Sequence, residues 1–252
     1  GVHVRIVRND SRGMMDPEEV ESAVRAPGNL HFPRTALICL ENTHNRCNGG
    51  VLNGPDTKAL ADVARTHGVA IHLDGARIFN AAVALKVPVK ELAQEVDDVA
   101  FCLSKGLSAP AGSLLCGRRD FVDRARKWRK MLGGGMRQAG VLASAGLVAI
   151  RTMVERLADD HANARHLAKG LMSVPGLKLD PDMVQTNIVF VELDDGLGNV
   201  PEFIGRLTQE GVKVSYPGGR RLRMVTHRHV SVQDVDEAIA IVSKVAQCVS
   251  WN

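Results

Sequence analysis

The chain has 252 residues, of which 45% are apolar and 24% charged, an ordinary globular composition with ample apolar mass for one large domain or two smaller ones. Its net charge of +4 is small and spread along the chain, and aromatic residues make up only 4%, which argues against a nucleic-acid-binding surface. No apolar stretch is long enough to span a bilayer and no secretory leader is seen, so neither nucleic acid nor membrane is expected as a partner.

The chain starts without Met, in a strand-like run from Val2 to Val7, as a processed end or a fragment would. Asp16-Pro17-Glu18-Glu19 predicts the start of a helix, with Asp16 as N-cap, Pro17 in the first turn and Glu19 completing a capping box. Thr35 to Leu40 is a continuous apolar strand that ends in the polar cluster Glu41-Asn42-Thr43-His44-Asn45-Arg46. Thr57 to His67 is helical, with Leu60, Val63, Ala64 and His67 on one face and Gly68 placed to end it. Val69 to Leu73 is the next strand, Asp74-Gly75-Ala76-Arg77 follows it, and a helix is predicted from Arg77 to Leu85.

Val96 to Leu103 leads into Ser104-Lys105-Gly106, and Gly112 to Gly117 is another strand. Continuous apolar strands alternating with helices imply an α/β fold whose mostly parallel sheet is buried on both faces. Arg119 to Met131 is a basic amphipathic helix broken by Gly133-Gly134-Gly135, and one long helix is predicted from about Gln138 to Met172. Shorter units follow: strands at Thr186–Leu193, Val212–Tyr216 and Leu222–Thr226, a helix at Val200–Glu210, and a last helix capped by Ser231 and Asp234. This second part reads as a small α+β domain.

The five cysteines, Cys39, Cys47, Cys102, Cys116 and Cys248, are odd in number and include no C-x-x-C pair. Cys39, Cys102 and Cys116 lie in apolar runs and read as buried free thiols in a reducing compartment, not as a disulfide framework or a zinc site. No set of His, Cys and carboxylate residues has convincing zinc spacing, so no metal is expected. G-x-S-x-G and G-x-G-x-x-G motifs are absent, which removes the hydrolase elbow and the dinucleotide fingerprint.

Three strands end in polar clusters, at Glu41–Arg46, Asp74–Arg77 and Ser104-Lys105. Parallel strands bring those three ends to one edge, where open α/β sheets hold their ligands. Lys105 is expected to have a stem walled by apolar neighbours, and a desolvated lysine becomes a nucleophile toward carbonyls through a Schiff base. Asp74 is either a helix N-cap or a carboxylate paired with a cationic ring nitrogen, as a pyridoxal cofactor requires. Arg77 is either a solvated helix residue or a group reaching back into the same site. His44 is a loop histidine or a site residue, and His72 a packed strand histidine. Gly133 to Gly135, flanked by Lys130 and Arg137, is a hinge or a phosphate contact. Arg223, among apolar strand neighbours, marks an edge strand or a carboxylate-binding site.

Taken together, His72-Leu73-Asp74-Gly75-Ala76-Arg77, Ser104-Lys105-Gly106-Leu107, Gly133-Gly134-Gly135-Met136-Arg137-Gln138 and Arg223-Met224-Val225-Thr226-His227 resemble the L-threonine aldolases of the low-specificity or allo-threonine type. The resemblance implies the aspartate-aminotransferase-like fold (fold type I), pyridoxal 5'-phosphate as cofactor, and retro-aldol cleavage of threonine or allo-threonine to glycine and acetaldehyde. It implies that Lys105 holds the cofactor, Asp74 faces the pyridine nitrogen and Arg77 the phenolic oxygen. It further implies that His44 acts at the substrate hydroxyl, Arg223 binds the substrate carboxylate, and Lys130 and Arg137 reach a neighbouring subunit's phosphate site in a homotetramer. Family members carry a further N-terminal region, so the chain is expected to be a truncated member. Residues 1–150 would form a partial cofactor-binding large domain, and residues 151–252 a connector helix with a small C-terminal domain. The expected location is cytoplasmic, with a mitochondrial one as the alternative. Rival readings are another fold-type-I lyase or transaminase, and a non-catalytic truncated form.

Overall fold

The computed structural model describes residues 1–28 and 30–249. The chain forms two compact units, one of residues 1–47 and 51–155, the other of residues 48–50 and 156–252.

The first unit is built on a four-stranded sheet in the order β1 (Leu37–Glu41), β2 (Ala70–Asp74), β3 (Asp98–Cys102), β4 (Ser113–Gly117). The first three strands are parallel and β4 closes the edge antiparallel to β3. Helix α1 (Pro17–Ala23) starts where Asp16 accepts the amides of Glu18 and Glu19. Helix α2 (Gly54–Thr66) begins three residues before its predicted start, because Asn53 and Asp56 form a reciprocal capping box. Helices α3 (Ile78–Leu85) and α4 (Val89–Ala93) follow β2. Val20 of α1, Leu60, Ala61 and Ala64 of α2, and Ile78, Ala81 and Leu92 pack with Ile38, Leu40, Ile71 and Leu73 of the sheet in one core.

That core covers one face of the sheet only, which corrects the expectation of burial on both. In β1 the buried Ile38 and Leu40 alternate with exposed Leu37 and Cys39, and β4 is exposed throughout. Strand side chains alternate between faces, so the residues opposite the core are left in the open. Cys39 and Cys116 are therefore exposed and Cys102 partly exposed, not buried. On the open face the imidazole Nδ1 of His72 meets Asp98 Oδ1 at 2.5 Å, beside a groove of about 480 Å3. The predicted strand at Val2–Val7 does not form. Those residues have no ladder partner among the described residues, and Val2, Val4 and Ile6 are exposed.

Helix α5 (Arg119–Met131) has the predicted bounds. The single helix predicted to Met172, and with it the connector helix expected from residue 151, is instead two helices, α6 (Gly140–Thr152) and α7 (Leu157–Met172). They serve different units: Gly146 of α6 lies against Leu103, while Ala164, Leu167, Ala168 and Leu171 of α7 enter the second core.

The second unit holds an antiparallel sheet of β5 (Leu177–Lys178), β6 (Ile188–Leu193) and β7 (Arg221–Val225). With α7, α8 (Val200–Gln209) and α9 (Val232–Val249) it encloses a core that includes Val189, Val191, Phe203, Leu207 and Leu222. Ser231 and Asp234 cap α9 reciprocally. The strand predicted at Val212–Tyr216 reduces to one bridge between Ser215 and Arg223.

Candidate active site

The parallel register places Glu41 beside Asp74, and Asp74 beside Ala100. The three loops that leave β1, β2 and β3 therefore start from one edge. Backbone hydrogen bonds stitch them: Asn42 N–H donates to Asp74 O at 2.9 Å, Gly75 N–H to Ala100 O at 2.8 Å, and Cys102 N–H to Ala76 O at 3.4 Å.

Asp74 is the last residue of β2 and is exposed. Its Oδ1 accepts the amide of Ala76 at 3.0 Å, which fixes the carboxylate and leaves its second oxygen available. The N-cap of α3 is Arg77, so Asp74 does not cap that helix and the capping alternative falls. Arg77 is half-buried and donates through Nη1 to Asn45 Oδ1 at 3.3 Å.

Lys105 sits in a turn three residues beyond β3, closed by Ser108 N–H donating to Lys105 O at 2.8 Å. It is exposed, which corrects the expected apolar wall. Leu103 and Leu107 on either side take the core positions, and the lysine between them is directed outward. Its amine is accessible.

His44 is mostly enclosed. Glu41 Oε2 lies 3.6 Å from its Nε2, an ion-pair separation, while its Nδ1 is buried with no hydrogen-bond partner among the described residues. The ring rests on the backbone of Gly13, which adopts φ +97°, and a β-carbon there would come within 2.4 Å of His44 Cβ. Only glycine combines that dihedral with that closeness. Gly13 and Asn45 are site residues that the sequence reading missed. Gly13 acts on a residue 31 positions away, so no local pattern marks it; Asn45 lay in a polar cluster that gave it no separate role.

Lys130, in the last turn of α5, and Arg137, beyond the glycines, are both exposed. Arg223 belongs to β7 in the second unit, half-buried, paired in register with Phe190, and burial pushes its guanidinium pKa down. The sheet edge thus unites Lys105, Asp74, Arg77 and His44. Among the described residues no group of three or more His, Cys, Asp and Glu side chains could hold a metal ion.

Comparison with known proteins gives this geometry a context. A family model described as beta-eliminating lyase matches residues 1–194. Low-specificity L-threonine aldolase 1 of Arabidopsis thaliana is 42% identical over 237 residues, covering 93% of this chain and 66% of the relative. Probable low-specificity L-threonine aldolase 2 of the same plant is 44% identical, covering 97% and 70%. The chain thus spans about two-thirds of the length of these relatives. Among solved structures, a putative L-allo-threonine aldolase from Listeria monocytogenes superposes with a TM-score of 0.76 at 16% identity, covering 95% of this chain and 67% of that one. A threonine aldolase from Leishmania major gives 0.76 at 17%, covering 97% and 71%. At such identities the likeness is one of fold, and the fold is the one the sequence predicts.

Proposed function

The chain belongs to the beta-eliminating lyase family, and on that premise we propose that it is a pyridoxal 5'-phosphate-dependent aldehyde-lyase that cleaves L-threonine or L-allo-threonine to glycine and acetaldehyde. The observation that carries the proposal is the sheet edge, where an amine, a carboxylate, a guanidinium and an imidazole follow the ends of three adjacent parallel strands. That donor set fits the cofactor in kind. Lys105 offers an accessible amine to hold its aldehyde carbon. Asp74 offers an exposed carboxylate to its ring nitrogen, and Arg77 a guanidinium to its phenolic oxygen. Lys130 and Arg137 are the basic pair for a phosphate.

When bound, the cofactor supplies an electron sink for the bond broken at the amino acid's α-carbon. Asp74 keeps the ring nitrogen protonated, because a carboxylate in contact favours the cationic form. His44 takes the proton of the substrate's β-hydroxyl, directly or through a water, and that proton transfer releases the aldehyde. Arg223 holds the substrate carboxylate through its two-pronged guanidinium.

A homo-oligomer, a homotetramer by family resemblance, is part of the same proposal. It is supported by Trp128, Met131, Leu132 and Met136, large apolar side chains left exposed on and beyond the basic helix α5. A cytoplasmic location is proposed with it.

The test is Lys105→Ala. The wild-type chain mixed with pyridoxal 5'-phosphate should develop the visible absorption of bound cofactor and release acetaldehyde from threonine. The variant should do neither, and a variant that cleaves threonine at the wild-type rate would refute the reading. Transamination products in place of glycine and acetaldehyde would favour the rival fold-type-I chemistry.

A further inference from the structure

We propose that Asn45 is the positioning residue for Arg77, holding its guanidinium at the sheet edge in the orientation that meets the cofactor's phenolic oxygen. This rests on the reading of Arg77 as the group that faces that oxygen. Asn45 lies four residues past Glu41, the last residue of β1, and Arg77 three residues past Asp74, the last of β2. Glu41 and Asp74 are ladder partners. The two side chains therefore set out from adjacent strand ends, and Arg77 Nη1 donates to Asn45 Oδ1 at 3.3 Å. A guanidinium only donates, so the amide must turn its oxygen toward it. The backbone at both ends of this contact is fixed. On one side Glu41 Oε1 accepts the Asn45 amide at 3.0 Å, and Cys47 N–H donates to His44 O at 3.3 Å. On the other, Arg77 O accepts the amides of Asn80 at 2.9 Å and Ala81 at 3.3 Å, at the N-cap of α3. What remains variable is the long arginine side chain, which has much rotamer freedom to lose. A contact at its tip removes that freedom before the cofactor arrives, so less ordering remains to oppose binding.

The chemistry of Asn45 suits this role. The planar guanidinium moves as one piece, so a partner at one nitrogen orients all of it. A neutral amide oxygen does so without adding a negative charge that would offset the arginine's attraction for a phenolate. The contact also decides between the two sequence readings of Arg77. A solvated helix residue would extend away from the strand ends, whereas Arg77 is half-buried and bonded to the loop that follows β1. A role for Asn45 in closing its own loop would need only its backbone amide on Glu41; the side-chain oxygen on Arg77 is what positioning adds.

The experiment compares the intact wild-type chain with Asn45→Ala, Arg77→Ala and the double variant. Nitrogen-15 NMR of the Arg77 guanidinium, recorded without cofactor, should show its Nη signals resolved in wild type, where rotation about the Cζ–Nε bond is hindered, and merged in Asn45→Ala. In absorbance titrations with pyridoxal 5'-phosphate, Asn45→Ala should raise the Kd about threefold to tenfold, the scale of one hydrogen bond. In the Arg77→Ala background the same substitution should change the Kd by less than about twofold, because a residue that acts through Arg77 then has nothing to orient. Identical guanidinium signals in wild type and Asn45→Ala would overturn the proposal. Equal losses of affinity from Asn45→Ala with and without Arg77 would overturn it too, since a general loosening of the loop acts in both backgrounds. The NMR comparison needs neither cofactor nor turnover, so it decides the pairing by itself; a held guanidinium in a chain that takes up no cofactor would count against the proposed reaction and not against the pairing.

Discussion

The amide of Asn42 donates to the carbonyl oxygen of Asp74 at 2.9 Å, tying the first residue beyond β1 to the last residue of β2. The side chain of Asn42 makes that exit rigid. It is fully buried, its Nδ2 donates to Leu52 O at 2.8 Å, and its Oδ1 accepts the amide of Leu52 at 3.3 Å. Glu41, Asn42 and His44 are therefore held as one piece against the strand that carries Asp74. Replacing Asn42 with Ala would leave two backbone groups of Leu52 unpaired in a dry site, at a cost of about 2 kcal/mol or more. Urea unfolding followed by circular dichroism should show that loss. A midpoint equal to wild type would mean that Leu52 finds other partners.

Gly75 occupies the turn between Asp74 and Arg77, with its amide bonded to Ala100 O. A β-carbon there would lie 2.9 Å from Val99 Cγ2 and 3.2 Å from Ala100 O. The carbonyl belongs to the neighbouring strand and cannot turn aside as a side chain can. Gly75→Ala should therefore push the turn off β3 and destabilise the chain by about 1–3 kcal/mol. Cofactor affinity, measured by absorbance titration, should fall as well, because Asp74 and Arg77 flank the displaced segment. Unchanged affinity would show that neither residue contacts the cofactor.

Asp74→Asn keeps the shape of the side chain and its bond to the Ala76 amide but removes the charge. Cofactor should still bind, since Lys105 is untouched. Threonine cleavage should fall on the order of a hundredfold or more, the scale on which losing one preorganised electrostatic contact acts. A fully active variant would remove Asp74 from the electron-sink role.

The edge itself was legible in the sequence for a simple reason. The apolar runs before Glu41, Asp74 and Lys105 are continuous and β-rich, and parallel strands must share an edge. Helix α5 was legible because its charges and apolar residues alternate at helical spacing. Contacts across long separations were not. Gly13 against His44 and Asn45 against Arg77 join residues 31 and 32 positions apart, and a sequence window contains no sign of either. The exposure of Lys105 was hidden for a different reason. An apolar neighbourhood says that something is buried, but not that Leu103 and Leu107 would take both core positions. The open sheet face shows the same limit on a larger scale, because the apolar character of Leu37, Leu114 and Leu115 carries no information about what packs on them.

His161 gives the second unit a pH dependence that can be worked out in sign. It is buried on α7, and that burial, with a smaller contribution from the nearby Arg165 charge, lowers its pKa from 6.5 to about 4. In the unfolded chain the imidazole titrates near its ordinary value of about 6.5. As pH falls below that value the unfolded state takes up a proton that the folded state refuses, so stability declines between about pH 6.5 and pH 4 and levels off below. The shift corresponds to a loss on the order of 3 kcal/mol across the window. His161→Gln removes the titrating group and should flatten that part of the stability profile, whatever it costs in packing at neutral pH. Urea unfolding at half-unit steps from pH 7 to pH 4 measures it, with the wild-type and variant curves compared by slope. Parallel slopes in the two proteins would mean that acid instability arises elsewhere, and that the buried imidazole accepts its proton in the folded chain as readily as in the unfolded one.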